Sequence, residues 1–461
     1  YIKLIKEGEM IKLKKNNLHR RKFIKGLSAV SGYAIAAPYV KTATSAGKLS
    51  LGIWSHWIPG QDDLLENILV SWGEKNGVEI KVDFITSIGN KLLLTAQAES
   101  RAKTGHDVFS MGVWMSSMFK HRLEPLDDVV EDIIRKHGSL LDSAKYYTYL
   151  DGHWRASPAP TGSFYDSMVS RYDLFKKHAG IDLQKIFPAS KNRDTKLVND
   201  WNWDAFLLAS EKLYKAGKPF GATIGATPDS RWLGALFSSY GAELVNKNGD
   251  ITVDSDEVRQ VLEYMSKLTE FMPKSIYAWD DSSNNRWIIS GEGSAIFNPA
   301  SAWAVAKRDN PKIAKKLWHN DMPRGPKGRY RPDNSQFWGL WDFAQNKSAA
   351  KDLFRYVAER PVVDACVKGS QGYDIPLIIS HFKNNKTWVE ASPPDGVLYN
   401  YPMRGDEIPV AVAHPAPPEI ASQITTQYVI ANLIARVTAK GHSFKKAIKW
   451  AENELEGVMR G

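Results

Sequence analysis

The sequence is poor in cysteine: Cys366 is the only one among 461 residues. A single thiol excludes an intrachain disulfide and a cysteine-held iron–sulfur cluster. Cys366 lies within residues 361–368, whose apolar residues recur at helical spacing, so we expect a small buried hydrophobe and not a reactive thiol. Because no cysteine lies near the amino terminus, the sequence also predicts a chain without a lipid anchor.

Closely spaced histidines and glycine-rich loops are missing as well. Beyond residue 46 no two histidines lie nearer in sequence than His106 and His121, which excludes a local metal-ligand pair. No glycine pattern of the phosphate-binding kind is present. Asp280 and Asp281 are the best candidate pair of catalytic carboxylates, yet adjacent acids usually point in different directions. We therefore expect no cofactor, no metal and no enzymatic activity, and a glycoside-acting enzyme remains a remote alternative.

Long apolar segments are also lacking, and the amino-terminal one is short. Basic residues 12–25 run directly into the small apolar residues 26–40, fewer than the roughly 20 that a membrane-spanning helix needs. This order is typical of an export signal. The segment around Arg20, Arg21 and Phe23 resembles the twin-arginine signal. The sequence predicts a cleavable signal over residues 1–46, the twin-arginine translocase as export partner, and a protein that is free in the periplasm.

The net charge of +10 comes mostly from this amino-terminal segment. Residues 1–46 contain ten of the 61 basic side chains and two of the 51 acidic ones, which leaves the remainder near +2. No later segment combines a sustained basic run with aromatic residues. We therefore expect no nucleic-acid partner.

Apolar periodicity after the signal predicts an α/β fold. Residues 49–53 and 78–84 alternate as strands do, residues 64–72 and 92–101 have helical spacing, and a third short strand covers residues 107–111. Strands that alternate with helices indicate a parallel sheet with right-handed crossovers. Sheets of this kind bind ligands at the carboxyl ends of their strands.

Tryptophan is abundant, with sixteen in the chain, and three lie in the loops after these strands. They are Trp54, Trp57 and Trp114, with His56 beside the first two. An indole face stacks on a sugar ring, and the sugar hydroxyls bind to polar side chains around it. The pattern predicts a site for a small polar solute, with a carbohydrate favoured. A polyamine or another non-sugar solute is the alternative, because cations also bind aromatic faces near carboxylates such as Asp166.

Several segments in this order resemble one family. They are Leu51-Gly-Ile-Trp, His106-Asp-Val-Phe, Tyr172-Asp-Leu-Phe, Gly291-Glu-Gly-Ser-Ala-Ile-Phe and Asp321-Met-Pro-Arg-Gly-Pro-Lys-Gly. Together they resemble the maltose-binding-like extracellular solute-binding proteins of ABC importers, often called family 1. The resemblance implies a type II-like, two-lobe periplasmic-binding-protein fold with parallel-sheet lobes joined by hinge crossovers. It also implies a monomer that closes on its solute and delivers it to an ABC importer permease.

The same resemblance implies a division of the chain. An amino-terminal lobe would comprise residues 47–158 and 332–372, and a carboxyl-terminal lobe residues 159–331 and 373–461. Residues near 156–161 and 331–335, rich in proline and small residues, would form the crossovers.

Further ligand-binding residues are implied by the resemblance. They are Phe164, Tyr165, Asp166, Arg231, Trp232, Asn298, Trp303, Trp338 and Tyr373. We expect that replacing Trp232 or Trp303 with alanine weakens solute binding and leaves the melting temperature nearly unchanged.

Overall fold

The computed structural model describes residues 47–188, 193–382 and 406–460. The predicted export signal, with Arg20, Arg21 and Phe23, lies outside these residues. Within them, no helix combines the length and the apolar character that crossing a membrane requires.

The strands are numbered in chain order. They are β1 Gly47–Trp54, β2 Val78–Ile85, β3 Val108–Met111, β4 Tyr149–Leu150, β5 His153–Trp154, β6 Ser157–Pro158, β7 Phe164–Tyr165, β8 Ser167–Arg171, β9 Ala295–Asn298, β10 Leu317–Asn320, β11 Arg329–Asn334, β12 Phe337–Leu340 and β13 Glu407–Val410.

Helices occupy much of the remaining chain. They span Gln61–Asn76, Lys91–Ala102, Met115–Met118, Asp127–His137, Asp142–Thr148, Tyr172–Leu174, Leu183–Ile186, Thr195–Asp200, Trp203–Lys215, Trp232–Tyr240, Asp256–Leu268, Ser283–Ser290, Ser301–Asp309, Pro311–Ala314, Lys347–Val357, Arg360–Gly369, Ile379–Phe382, Pro418–Thr426, Val429–Thr438 and Phe444–Arg460.

The first lobe is built on a five-stranded sheet in the order β2-β1-β3-β12-β6. β1 is parallel to β2 and to β3, which confirms the three strands and the parallel pairing predicted for this part of the chain. Leu49, Leu51 and Ile53 are buried, as their alternation in the sequence indicates. β12 pairs antiparallel with β3 and with β6.

The second lobe contains two three-stranded sheets. β8 lies between β10 and β9 and is antiparallel to both. β11 is parallel to β13 and antiparallel to β7. The β10-β8-β9 sheet is therefore antiparallel and the β13-β11-β7 sheet is mixed, whereas we predicted parallel-sheet lobes. Strand direction is decided by long-range returns of the chain, and local periodicity does not encode it.

Two extended segments pass from the first lobe's sheet to those of the second. One leads from β6 to β7 and the other from β11 to β12, which is where the sequence predicts crossovers. The segments touch: the Gln336 amide donates to the Ser163 hydroxyl at 2.9 Å, and the Ala159 amide donates to the Gln336 carbonyl at 3.2 Å. Gly162 has a φ of 93°, and a Cβ there would lie 2.9 Å from the Gln336 side chain. Glycine fits this turn for both reasons.

The exact chain division remains a proposal. Ile378 forms a bridge with Leu140, and the Leu141 amide donates to the Leu377 carbonyl at 2.8 Å, so these contacts favour placing residues 373–382 with the first lobe. The Ser422 hydroxyl donates to the Trp114 carbonyl at 3.4 Å, so the Pro418–Thr426 helix also contacts the first lobe.

Cys366 is fully buried, as predicted. Burial raises the pKa of its thiol, which keeps it protonated at neutral pH.

Candidate functional site

An enclosed cleft lies where the two lobes meet, with a cavity volume of about 190 Å³. One wall is formed at the carboxyl ends of the first lobe's parallel strands. β1 ends at Trp54, Ser87 follows β2, and Gly112 and Trp114 follow β3. All of these residues line the cleft, which is therefore at the sheet edge where α/β folds bind ligands.

Aromatic side chains dominate the lining. They are Trp54, Trp57, Trp114, Tyr147, Phe164, Tyr373 and Tyr428. Trp114 is 2% exposed and packs edge-on against Tyr147 with ring centroids 4.7 Å apart, so it forms both wall and core. Trp57 is partly exposed, which leaves ring surface available to a ligand.

A buried arginine forms part of the opposite wall. Arg231 Nε lies 2.8 Å from Asp166 Oδ2, and Arg231 Nη2 donates to Asp166 Oδ1 at 3.0 Å. Its Nη1 donates to Asp229 Oδ1 at 2.8 Å. The guanidinium also lies 5.0 Å from the Phe164 ring centre. These contacts fix its orientation towards the cleft.

Burial shifts the pKa of each ionisable group in this cluster. Burial raises the pKa of Asp229 to about 7, although Arg231 opposes that rise. The Asp166 pKa is also raised by burial against the opposing effect of Arg231. Burial lowers the pKa of Arg231, but the Asp166 and Asp229 carboxylates outweigh it and the net direction is upwards. Arg231 Nη2 donates to Asp166, and Arg231 Nε lies within ion-pair distance of its other oxygen, so we treat Asp166 as an ionised partner.

Asp333 is a second buried carboxyl group, at the end of β11 and 2% exposed. Its Oδ1 accepts from the Ser335 hydroxyl at 2.7 Å. Its Oδ2 has no hydrogen bond of good geometry, although the Ser143 hydroxyl is near enough to lower its pKa. Burial is the larger effect and raises this pKa to about 6.

Neutral amides complete the second lobe's wall. Asn298, at the end of β9, accepts from Asn284 Nδ2 at 2.8 Å and donates to Asn285 Oδ1 at 2.7 Å. Asn298 and Asn285 line the cleft. The amide chain holds Asn298 in one orientation.

Several buried polar atoms of the lining have no hydrogen-bond partner among the described residues. They include Trp114 Nε1, the Tyr147 hydroxyl, Asp229 Oδ2, Asp333 Oδ2, Gln336 Oε1 and Thr425 Oγ1. Buried polar groups in native proteins are nearly always hydrogen-bonded, so a polar ligand or water in the cavity would supply the partners of these atoms.

At the cleft mouth, side chains from the two lobes approach each other. The Ser87 hydroxyl lowers the pKa of Asp281, which burial raises overall. The Asn90 side chain likewise lowers the pKa of Tyr428, against a larger upward effect of burial. Ser87 and Asn90 therefore meet Asp281 and Tyr428 across the cleft mouth.

The structure brings together seven of the predicted ligand-binding residues around the cleft. They are Trp54, Trp57, Trp114, Phe164, Arg231, Asn298 and Tyr373. The other six do not line it. They are His56, Tyr165, Asp166, Trp232, Trp303 and Trp338.

His56 and Asp166 lie one layer behind the lining. His56 Nε2 is 3.0 Å from Asp374 Oδ1, and its Nδ1 accepts from the Ile58 amide at 2.9 Å. The His56 ring packs edge-on against Tyr373, with centroids 4.7 Å apart. Asp166 reaches the cleft only through Arg231. Both residues support lining side chains.

The remaining predicted aromatics are core residues. Trp232 is fully buried and donates from Nε1 to the Thr223 carbonyl at 2.8 Å. Trp338 is 1% exposed and packs near Phe354, and Trp303 is 3% exposed under the Lys307 ammonium. Tyr165 is buried beside the Arg331 guanidinium.

The sequence reasoning missed other lining residues. They include Tyr147, Asp333, Gln336, Thr425 and Tyr428, and also Asp281, which the sequence suggested only as one of two catalytic carboxylates. Asp333 lies within a predicted crossover. Because crossovers in a hinged fold border the cleft, its position in the sequence already indicated that it lines the cleft. Tyr147 and Tyr428 carry no comparable sequence signal.

Two α/β lobes, joined by extended crossovers around an aromatic cleft, define a protein that binds a solute by lobe closure. A family model for bacterial extracellular solute-binding proteins matches residues 55–363, and the chain belongs to that family.

The chain is also similar to a known relative in sequence and to solved structures in fold. The arabinooligosaccharide-binding protein of Halalkalibacterium halodurans is 22% identical over 318 residues, and the match covers 64% of this chain and 64% of that relative's length. Maltose-bound MalE3 of T. maritima has a TM-score of 0.69 at 18% identity, covering 90% of this chain and 100% of the other. A sugar transporter from Arthrobacter chlorophenolicus with bound laminaribiose has a TM-score of 0.68 at 13% identity, covering 90% and 99%. These structural matches confirm the predicted two-lobe fold.

Proposed function

We propose that this protein is the solute-binding component of an ABC importer and that its solute is a carbohydrate. The observation that carries the proposal is the unpaired polar atoms set among aromatic side chains in one enclosed cleft. In this account the lobes close on a sugar, and the closed complex delivers it to a membrane permease.

The aromatic wall suits the apolar faces of a sugar ring. A buried tryptophan covers roughly 150–250 Å², so one stacked face of Trp57 contributes about 2–3 kcal/mol. Micromolar affinity corresponds to about 8 kcal/mol, so stacking on Trp57 supplies part of it and hydrogen bonds with the remaining contacts of the cleft must supply the rest.

The unpaired polar atoms suit hydroxyl groups. Gln336 Oε1 can only accept a hydrogen bond, Trp114 Nε1 can only donate one, and the Tyr147 and Thr425 hydroxyls can do both. A sugar hydroxyl is both donor and acceptor, so one molecule can satisfy all four atoms. The relatives' names point the same way, since they refer to arabinooligosaccharide, maltose and laminaribiose.

Binding without hydrolysis is supported by the orientation of the acidic pair. The Asp280 carboxylate turns back into its own loop, where it accepts from the Ser283 hydroxyl at 2.6 Å and from the Ser282 hydroxyl at 2.9 Å. Asp281 lines the cleft and Asp280 does not. The two acids therefore do not flank a common bond.

A thermal-shift screen of residues 47–461 tests the proposal. The panel contains neutral di- and oligosaccharides, amino sugars, sugar alcohols, amino acids and spermidine. A ligand at a hundred times its Kd stabilises the protein by about 2.7 kcal/mol, which is a clear shift. We expect a saccharide to give the largest shift. Stabilisation by amino acids alone would contradict the carbohydrate assignment, and turnover of a glycoside would contradict a pure binding role.

Periplasmic location, export by the twin-arginine route, the permease partner and a monomeric state are parts of the same proposal. The double variant Arg20→Lys, Arg21→Lys tests the export route. We expect its precursor to stay in the cytoplasm, while a Lys14→Arg, Lys15→Arg control is exported. Export of the double variant through the general secretory route would contradict this part.

A further inference from the structure

The charges that line the cleft are unbalanced. Three acids line it, Asp229, Asp281 and Asp333, and Arg231 is the only lysine or arginine among the lining residues that the structure describes. Asp166, directly behind, takes two contacts of the Arg231 guanidinium, and Asp229 takes another. One guanidinium therefore faces two carboxylates. Asp281 and Asp333 have no salt bridge in the described part of the chain.

Asp333 is the more isolated of these two acids. The nearest arginine in sequence, Arg331, directs its Nε to the Asp166 carbonyl at 2.7 Å and its Nη1 to Glu407 at 3.3 Å. The Asp333 carboxyl lies near the Ser335 and Ser143 hydroxyls and near Tyr147, none of which carries a positive charge.

A buried carboxylate without a cation is expensive, typically by several kcal/mol. Such a group either stays protonated or is compensated when a ligand binds. Among the described residues neither Asp229 Oδ2 nor Asp333 Oδ2 has a well-aligned hydrogen bond, and both side chains line the cleft. When ionised, they accept hydrogen bonds only, and an ammonium group offers three donors and a compensating charge.

The aromatic lining also favours a ligand with a cationic group. Indole and phenol faces attract cations, with a gain of about 0.5–2 kcal/mol that is larger where water is excluded. Trp57 presents a partly exposed ring in the same cleft as the acids, and the nearly buried rings of Trp54 and Trp114 border it. A carboxylate on the solute would instead meet at least two uncompensated carboxylates of the protein.

We infer that the carbohydrate bound in this cleft carries a protonated amine, so that basic amino sugars are its substrate class and acidic sugars are excluded. The inference rests on the proposed function and specifies the solute's charge.

Isothermal titration calorimetry at neutral pH with matched sugars tests the inference. The β-1,4-linked dimer of glucosamine is compared with cellobiose. Glucosamine is compared with glucose, and galactosamine with galactose. Glucuronate serves as the acidic sugar. We expect an amine-bearing sugar to bind at least about tenfold more tightly than its neutral counterpart, and glucuronate to show no binding.

Isosteric variants connect the preference to the carboxylates. We expect Asp333→Asn to reduce the ratio of amine to neutral affinity about tenfold, the size of one lost charged hydrogen bond. Asp281→Asn, at the partly exposed rim, is the second variant if Asp333→Asn does not fold. Asp280→Asn is the matched control, because Asp280 lies next to Asp281 and outside the lining, and it should leave the ratio unchanged.

The outcomes separate this inference from the proposed function. Neutral sugars that bind as tightly as their amine counterparts would overturn the inference and leave the carbohydrate assignment standing. Binding of spermidine with no saccharide bound would overturn both. The inference would also be overturned if no amino sugar bound at millimolar concentration. The same holds if the ratio of amine to neutral affinity were unchanged in both Asp333→Asn and Asp281→Asn.

Discussion

Replacing Trp57 with alanine tests the aromatic wall most cleanly. Trp57 lines the cleft and is partly exposed, whereas Trp54 and Trp114 are almost fully buried and also belong to the core. Removing it should therefore act on the ligand and hardly on the fold. If a sugar covers about 100 Å² of the indole, the loss is about 2.5 kcal/mol, or roughly 70-fold in Kd.

The assay is calorimetric titration of the parent and Trp57→Ala with the saccharide that stabilises the parent most, with circular dichroism melting alongside. Trp450→Ala is the matched control, because Trp450 is also partly exposed and packs against Arg436 outside the cleft. We expect the control to bind as the parent does. A Trp57→Ala variant with unchanged Kd would refute the stacking argument.

Three further variants address the layer behind the lining and the buried acids. Because Trp232 is fully buried, Trp232→Ala should lower the free energy of unfolding in urea by about 3–5 kcal/mol. An unchanged urea midpoint would contradict the assignment of Trp232 to the core. Asp166→Asn should destabilise the protein by about 3–5 kcal/mol by leaving Arg231 with one carboxylate, and a neutral effect would indicate that Asp166 is protonated in the parent. Asp333→Asn should change the pH dependence of unfolding without ligand. Burial raises the Asp333 pKa from 3.8 to about 6, so its favourable contribution is complete below pH ~4 and is lost as pH rises through ~6. From pH ~4 to ~7 the variant should therefore gain up to about 3 kcal/mol on the parent, and parallel pH profiles would contradict this burial argument.

The first lobe's secondary structure could be predicted because its pattern is local. Residues 78–84 alternate between apolar and charged side chains, and β2 spans Val78–Ile85. The cleft's position follows from the same pattern, since the loops after β1, β2 and β3 meet at one sheet edge.

The second lobe and its wall were less predictable. β8 pairs with β9 and β10, which are far away in sequence, and only the folded chain decides that both pairs are antiparallel. Trp232 directly follows Arg231, but the turn of the helix that begins there points one side chain to the cleft and the other into the core. A tryptophan's presence near a site therefore does not specify which way its ring faces.

The most direct test of the account is a crystal structure of the protein with the saccharide that stabilises it most. We expect the sugar between the lobes, with a ring stacked on Trp57 and its polar groups within hydrogen-bond distance of Trp114 Nε1, Gln336 Oε1 and Asp333 Oδ2. A sugar bound outside this cleft, or a cleft that stays empty while the sugar binds in solution, would contradict the central claim.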